Sequence, residues 1–164
     1  MKVKYTPLEV NTYIHDIIRM MYNDNFKPDY IIGLTRGGLV PAIKLSHYLD
    51  VPMNTLQVSL RDAGESETKC WMAEDAFGYK NTPKNILIID DICDSGATFD
   101  WIIQDWQSVC MPDSEKWDHV WHGNVKFASL IYNEASKFDI DYFGHMINKV
   151  ENPEWCVFPW EEWW

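Results

Sequence analysis

The chain has 164 residues, enough for one domain with a substantial core. Hydrophobic residues make up 46% and charged residues 24%, the balance of a soluble globular protein and not of a disordered one. A formal net charge of −11 argues against general nucleic-acid binding, which needs a basic face; it suits a protein that gathers carboxylates around a metal or a sugar, or one with a solvated acidic surface. The four cysteines (Cys70, Cys93, Cys110, Cys156) form no CxxC pair and have no His at ligand spacing, so neither a zinc site nor a disulfide framework is expected. The opening MKVKYTPLEV lacks the apolar core of a secretory signal and no run approaches membrane-spanning length, so a reduced cytoplasmic compartment is the default expectation.

Thr6-Pro7-Leu8-Glu9 reads as a capping box with Pro at the first helical position, and Leu8, Val10, Ile14, Ile17, Ile18 and Met21 recur behind it at helical spacing. This predicts a helix over 7–22. Tyr30 to Leu34 is a short apolar run, expected as a buried strand. Thr35-Arg36-Gly37-Gly38 follows as a loop, then a helix over 39–49 with Leu39, Ile43, Leu45 and Leu49 on one side. Residues 53–60 form a second strand candidate. Residues 61–79 show no sustained period and are rich in Asp, Glu, Gly, Ser and Thr, which predicts a long functional loop; Trp71, Met72 and Phe77 suggest that it closes over something. Ile86 to Ile89 are four consecutive apolar residues, as in a central parallel strand covered on both faces. A helix is expected over 97–109, with Phe99, Ile102, Ile103 and Trp106 on one face, and strands over 126–132 and 142–147. Strands alternating with helices imply an α/β fold with a central parallel sheet.

The chemistry concentrates after the strand at 86–89. Asp90 and Asp91 come first, then Asp94-Ser95-Gly96-Ala97-Thr98 at the start of a helix. Ligands of open α/β sheets bind at the carboxyl ends of strands. Gly96 lets the backbone approach a ligand, and successive N–H groups of Ser95 to Thr98 can receive a phosphate. Asp90 and Asp91 suit vicinal hydroxyls or Mg²⁺. Asp94 and Ser95 also read as simple helix caps, but that leaves the acidic pair unexplained.

The run ILIIDDICDSGAT (86–98) resembles the signature of type I phosphoribosyltransferases throughout, with Ser95 in a Thr/Ser position. The resemblance implies the type I phosphoribosyltransferase fold, a parallel sheet flanked by helices with a small hood or flap, over a single domain at 1–164. It implies that Asp90 and Asp91 hold the ribose hydroxyls of 5-phosphoribosyl 1-diphosphate (PRPP) and help hold Mg²⁺, and that Asp94–Thr98 wraps the 5-phosphate. Thr35-Arg36-Gly37-Gly38 is similar to the pyrophosphate loop of the bacterial xanthine-guanine enzymes, where the peptide before the Arg is often cis; standing alone it would be an ordinary βα turn. The tail at 150–164 resembles the base-binding end of the same enzymes, with Trp155 stacking on the base and Cys156 beside its edge; Trp160, Trp163 and Trp164 read better as core or interface residues. The loop at about 61–79 corresponds to the mobile loop over the site, and Lys69 is a weakly matched candidate for a pyrophosphate contact.

The implied reaction joins PRPP to N9 of a purine and releases pyrophosphate, with Asp94 taking or sharing a proton near N7. There is one departure from the family pattern. Asn133 stands where the purine enzymes carry the Lys that donates to the 6-oxo group, which leaves open the preferred purine; Lys137 lies four residues on. Two other readings stay open: a PRPP- or nucleotide-sensing regulator of the same fold, and a phosphoribosyltransferase for another base. Family analogy further implies a homodimer or homotetramer, with no nucleic-acid or membrane partner.

Overall fold

The computed structural model describes residues 1–60 and 65–164. In chain order its elements are Lys2–Lys4 (β1), Pro7–Asn23 (α1), Tyr30–Thr35 (β2), Leu39–Leu49 (α2), Met53–Gln57 (β3), Cys70–Phe77 (α3), Ile86–Cys93 (β4), Ala97–Val109 (α4), a 3₁₀ turn at Glu115–His119, Val125–Asn133 (β5), Tyr142–Ile147 (β6) and Trp155–Val157 (β7). Five strands form a wholly parallel sheet in the order β3-β2-β4-β5-β6, and β1 pairs with β7 in a separate two-stranded parallel sheet.

The local rules hold where they were strongest. Thr6 caps α1, its Oγ1 accepting from the Glu9 amide at 3.1 Å, and Pro7 opens the helix. Val10, Ile14, Ile17, Ile18 and Met21 are buried as their spacing predicts. Along β4 successive side chains alternate between faces. Leu87 and Ile89 pack with α1 and α2, while Ile86 and Ile88 pack with α3 and α4. The central strand is therefore apolar on both sides because both sides are covered.

Several expectations need correction. Residues 61–64 of the expected long loop lie outside the described residues, but its second half is not a loop: 70–77 is the helix α3. Met72, Ala73, Ala76 and Phe77 form its buried face, and Gly78 ends it with φ 75. Two turns are too short to raise a periodic signal above the polar residues around them. Strand β4 runs on through Asp90 and Asp91 to Cys93, so the acidic pair sits on the strand and not after it. In α2 the buried residues are Pro41, Ala42 and Leu45, and Ile43 is exposed. β1, β7 and the 3₁₀ turn were not anticipated.

Candidate active site

Because every strand of the main sheet points the same way, the carboxyl ends of β2, β4, β5 and β6 lie along one edge. A cleft of about 880 Å³ opens there, within the size range of small-molecule sites. Three stretches of chain, distant in sequence, form its walls.

The first wall is the end of β4 and the start of α4, with Asp90 to Phe99 all lining the cleft. Asp90 Oδ1 accepts from the Asp91 amide at 2.9 Å, and Asp91 Oδ1 from the Ile92 amide at 2.8 Å, so both carboxyl groups are held on the backbone. Burial pushes the Asp90 carboxyl well above the usual carboxylate range, and the Asp91 charge adds to this. Burial also raises Asp91, against the hydrogen bonds from Asp90 and the Ile92 amide, with the Glu161 charge adding to the rise. Gly96 has φ 85 and begins α4; a Cβ there would lie 2.2 Å from Phe138 Cβ, so only glycine fits between the loop and the segment behind it. The first amides of α4 have no intrahelical partner, although Ser95 Oγ accepts from Ala97 at 3.2 Å. These amides make the start of α4 an anion site at the cleft.

The second wall is Thr35-Arg36-Gly37. The Thr35–Arg36 peptide is cis, as the resemblance led one to expect. The Gly37 backbone lies against Asp91: a Cβ at Gly37 would be 2.2 Å from Oδ2 and 2.4 Å from Cγ. The two loops expected to serve one ligand therefore touch.

The third wall is the C-terminal tail. Trp155 is 59% exposed and lines the cleft with Cys156, Phe158 and Trp160. Phe158 and Trp160 stack at 5.0 Å with their planes 5° apart, and Tyr5 stacks behind Phe158 at 5.7 Å. The tail is held by β1, in register Lys2 with Trp155 and Lys4 with Val157. Burial pushes the Cys156 thiol up. Trp163 and Trp164, at 80% and 85%, are exposed.

Two expected contacts lie elsewhere. Lys69 does not line the cleft; its Nζ donates to the Thr55 carbonyl at 2.6 Å and sits 3.9 Å from Glu67. Asn133 is buried behind Asp94 and does not line the cleft: its Nδ2 donates to Asp94 Oδ1 at 3.1 Å and to the Asp94 carbonyl at 3.4 Å. The cation of this wall is Lys149, which sequence reasoning missed. Its Nζ lies 2.9 Å from Asp94 Oδ2, and it lines the cleft. A signal existed, since Lys149 follows the end of a parallel strand by two residues. Glu161, also missed, lines the cleft and accepts from the Phe158 amide at 2.7 Å.

Among the described lining residues are four carboxylates (Asp90, Asp91, Asp94, Glu161) and two cations (Arg36, Lys149). No group of three His, Cys, Asp or Glu side chains among the described residues could hold a metal alone. Asp90 and Asp91 can do so together with ligand and water oxygens, the usual manner for Mg²⁺.

The phosphoribosyl transferase domain model matches residues 6–163. The chain is 25% identical over 132 residues to the xanthine-guanine phosphoribosyltransferase of Cereibacter sphaeroides, covering 80% of this chain and 68% of that one. It is 26% identical over 144 residues to the enzyme of the same name from Desulfotalea psychrophila, covering 87% and 75%. The crystal structure of a purine phosphoribosyltransferase from Pyrococcus horikoshii superimposes with a TM-score of 0.68 at 25% identity, covering 98% of this chain and 94% of that one. With the family match running over nearly its whole length, this chain belongs to the phosphoribosyl transferase domain family.

Proposed function

We propose that this protein is a purine phosphoribosyltransferase of nucleotide salvage, transferring the 5-phosphoribosyl group of PRPP to a purine with release of pyrophosphate. The observation that carries the reading is the meeting, in one cleft, of the α4 phosphate loop, the Thr35–Gly37 loop and an aromatic tail. In this reading the amides of Ser95 to Thr98 receive the 5-phosphate, and the Thr35–Gly37 loop receives the pyrophosphate. Asp90 and Asp91 accept from the ribose hydroxyls. Trp155 covers the face of the base, and Cys156 meets its edge.

The anomeric carbon becomes cation-like as pyrophosphate leaves, so the protein must hold both fragments and exclude water. Asp94 stands beside the base edge and takes or shares the N7 proton while N9 attacks. Asp90 and Asp91 would hold Mg²⁺: both carboxyl groups are raised, and no cationic side chain among the described residues pairs with them. The cation would neutralise the charge of the leaving pyrophosphate in a cleft that holds more acids than bases.

The same reading treats 1–164 as one catalytic domain in the cytoplasm, acting on small molecules and not on nucleic acid. Among the described residues no helix is long and apolar enough to cross a membrane. A homo-oligomer belongs to the proposal, supported by the exposed Trp163 and Trp164.

The test is a pyrophosphate-release assay with PRPP, Mg²⁺ and a panel of purines and pyrimidines. Release is expected with at least one purine. Tight PRPP binding without release on any base would overturn the reading in favour of a sensor, and release with pyrimidines alone in favour of another base.

A further inference from the structure

We infer that Lys149 selects the exocyclic group of the base and that Asn133 is the positioning residue that seats it beside Asp94. The inference rests on the purine reading above.

Lys149 is an unusual lysine: its side chain is only 21% exposed and reaches from the turn after β6 to the Asp94 carboxylate, 2.9 Å away. The two groups present a donor and an acceptor side by side on the wall of the cleft. An ammonium has three donors and no acceptor, so the bond to Asp94 leaves it able to donate to a ligand. The complementary ligand edge carries an acceptor beside an N–H. On a purine the C6 substituent and N7 lie together on one edge. A 6-oxo base protonated at N7 supplies both partners, its oxygen to Lys149 and its N–H to Asp94, and leaves the N9 lone pair for the anomeric carbon. A 6-amino base turns donors toward a cation that has no lone pair, and the ammonium loses its partner.

Asn133 makes the pair a unit. It is buried at 6% exposure, and both ends of its amide are engaged. Nδ2 donates to Asp94, while Oδ1 accepts from the Lys149 amide at 3.1 Å and the Ala135 amide at 3.3 Å. The turn is clamped again on its other side: the Glu134 amide donates to the Ile147 carbonyl at 2.9 Å, and Asn148 Nδ2 to Glu134 Oε1 at 2.9 Å. The end of β5 thus fixes where the Lys149 backbone starts and where the Asp94 carboxylate points.

The experiment measures kcat/KM for hypoxanthine, guanine and adenine, and PRPP affinity by calorimetry, in the wild type, Lys149→Met, Lys149→Arg, Asn133→Ala and the Asn133→Ala/Lys149→Met double variant. Wild type is expected to prefer the 6-oxo bases. Lys149→Met should lower kcat/KM for them by roughly 10- to 150-fold, the loss of one hydrogen bond to a charged group, with adenine and PRPP affinity unchanged. Lys149→Arg, which keeps a cation, should retain the preference. Asn133→Ala should erode the same ratio, and the double variant should lose no more selectivity than Lys149→Met alone, because the two residues act through one contact. An unchanged 6-oxo to 6-amino ratio in Lys149→Met, equal losses on all bases, or a wild-type preference for adenine would each overturn the inference while leaving the purine reading intact. No turnover of any purine by the wild type would sink the purine reading and this inference with it.

Discussion

Gly37→Ala is a sharp test of whether the two phosphate-handling loops act together. Gly37 does not lie in the left-handed region, so its backbone accepts alanine and the effect comes from contact alone. The new Cβ would stand 2.2 Å from Asp91 Oδ2, 2.4 Å from Cγ and 2.8 Å from Oδ1, meeting the whole carboxyl group. To regain van der Waals separation the group must retreat by about 1 Å or more, into the cleft. That movement strains or breaks the 2.8 Å bond from the Ile92 amide. A hydrogen bond to a charged acceptor is worth about 1.5–3 kcal/mol, reduced here because water in the cleft can replace it, so about 1–2 kcal/mol of stability is at stake. For a chain of this size the melting temperature should fall by about 2–8 °C. The effect on turnover should be larger, since a 1 Å misplacement in a positioned site costs about 100-fold. The assay is pyrophosphate release under PRPP-limiting conditions, with a thermal melt to show that the variant is folded. A folded Gly37→Ala protein with kcat/KM within about threefold of wild type would refute the claim that Asp91 and the Thr35–Gly37 loop share one ligand.

Asp94→Asn should keep PRPP affinity and lose about 100- to 10,000-fold in kcat, the usual contribution of a positioned acid–base group; full activity would remove Asp94 from the chemistry. Trp155→Ala should raise the KM for the base by about 5- to 150-fold, from about 1–3 kcal/mol of lost stacking, with PRPP affinity unchanged and partial recovery in Trp155→Phe. His122 gives a pH dependence outside the cleft. The Asp141 carboxylate, 2.9 Å from Nδ1, raises the His122 pKa above its ordinary 6.5 against the opposing effect of burial. The folded state then binds this proton more tightly than the unfolded chain does. The stabilisation is complete below pH 6.5 and is lost as pH climbs through the raised value. Urea midpoints of wild type and His122→Gln should therefore converge over that rise, and a constant gap between the two curves would refute the pairing.

Much of the first wall was legible because it is contiguous. Ile86 to Thr98 carries its strand, its acids, its glycine and its helix start in thirteen consecutive residues, and each local rule points the same way. The Thr35–Gly37 loop was legible for the same reason. Helix α3 was not, since its buried face spans only Met72 to Phe77. Asn133 was assigned to the right neighbourhood with the wrong role: its position at the end of β5 follows from the sequence, but whether its amide meets a ligand or Asp94 depends on how β5 and β6 pair.

What the sequence determined by itself, then, is a set of strand ends and the chemistry carried on each. Apolar periodicity and chain direction place Thr35, Asp90, Asp91 and Asp94 at the exits of buried parallel strands, and short-range sterics and hydrogen bonding are enough to specify that. Only the tertiary structure decided which exits face one another. Lys149 reaches Asp94 across 55 residues of chain, and Trp155 is held at the cleft by a strand formed from residues 2–4. Both contacts come from strand pairing between distant segments, whose partner and register are set by burial of the whole sheet and not by the residues beside them.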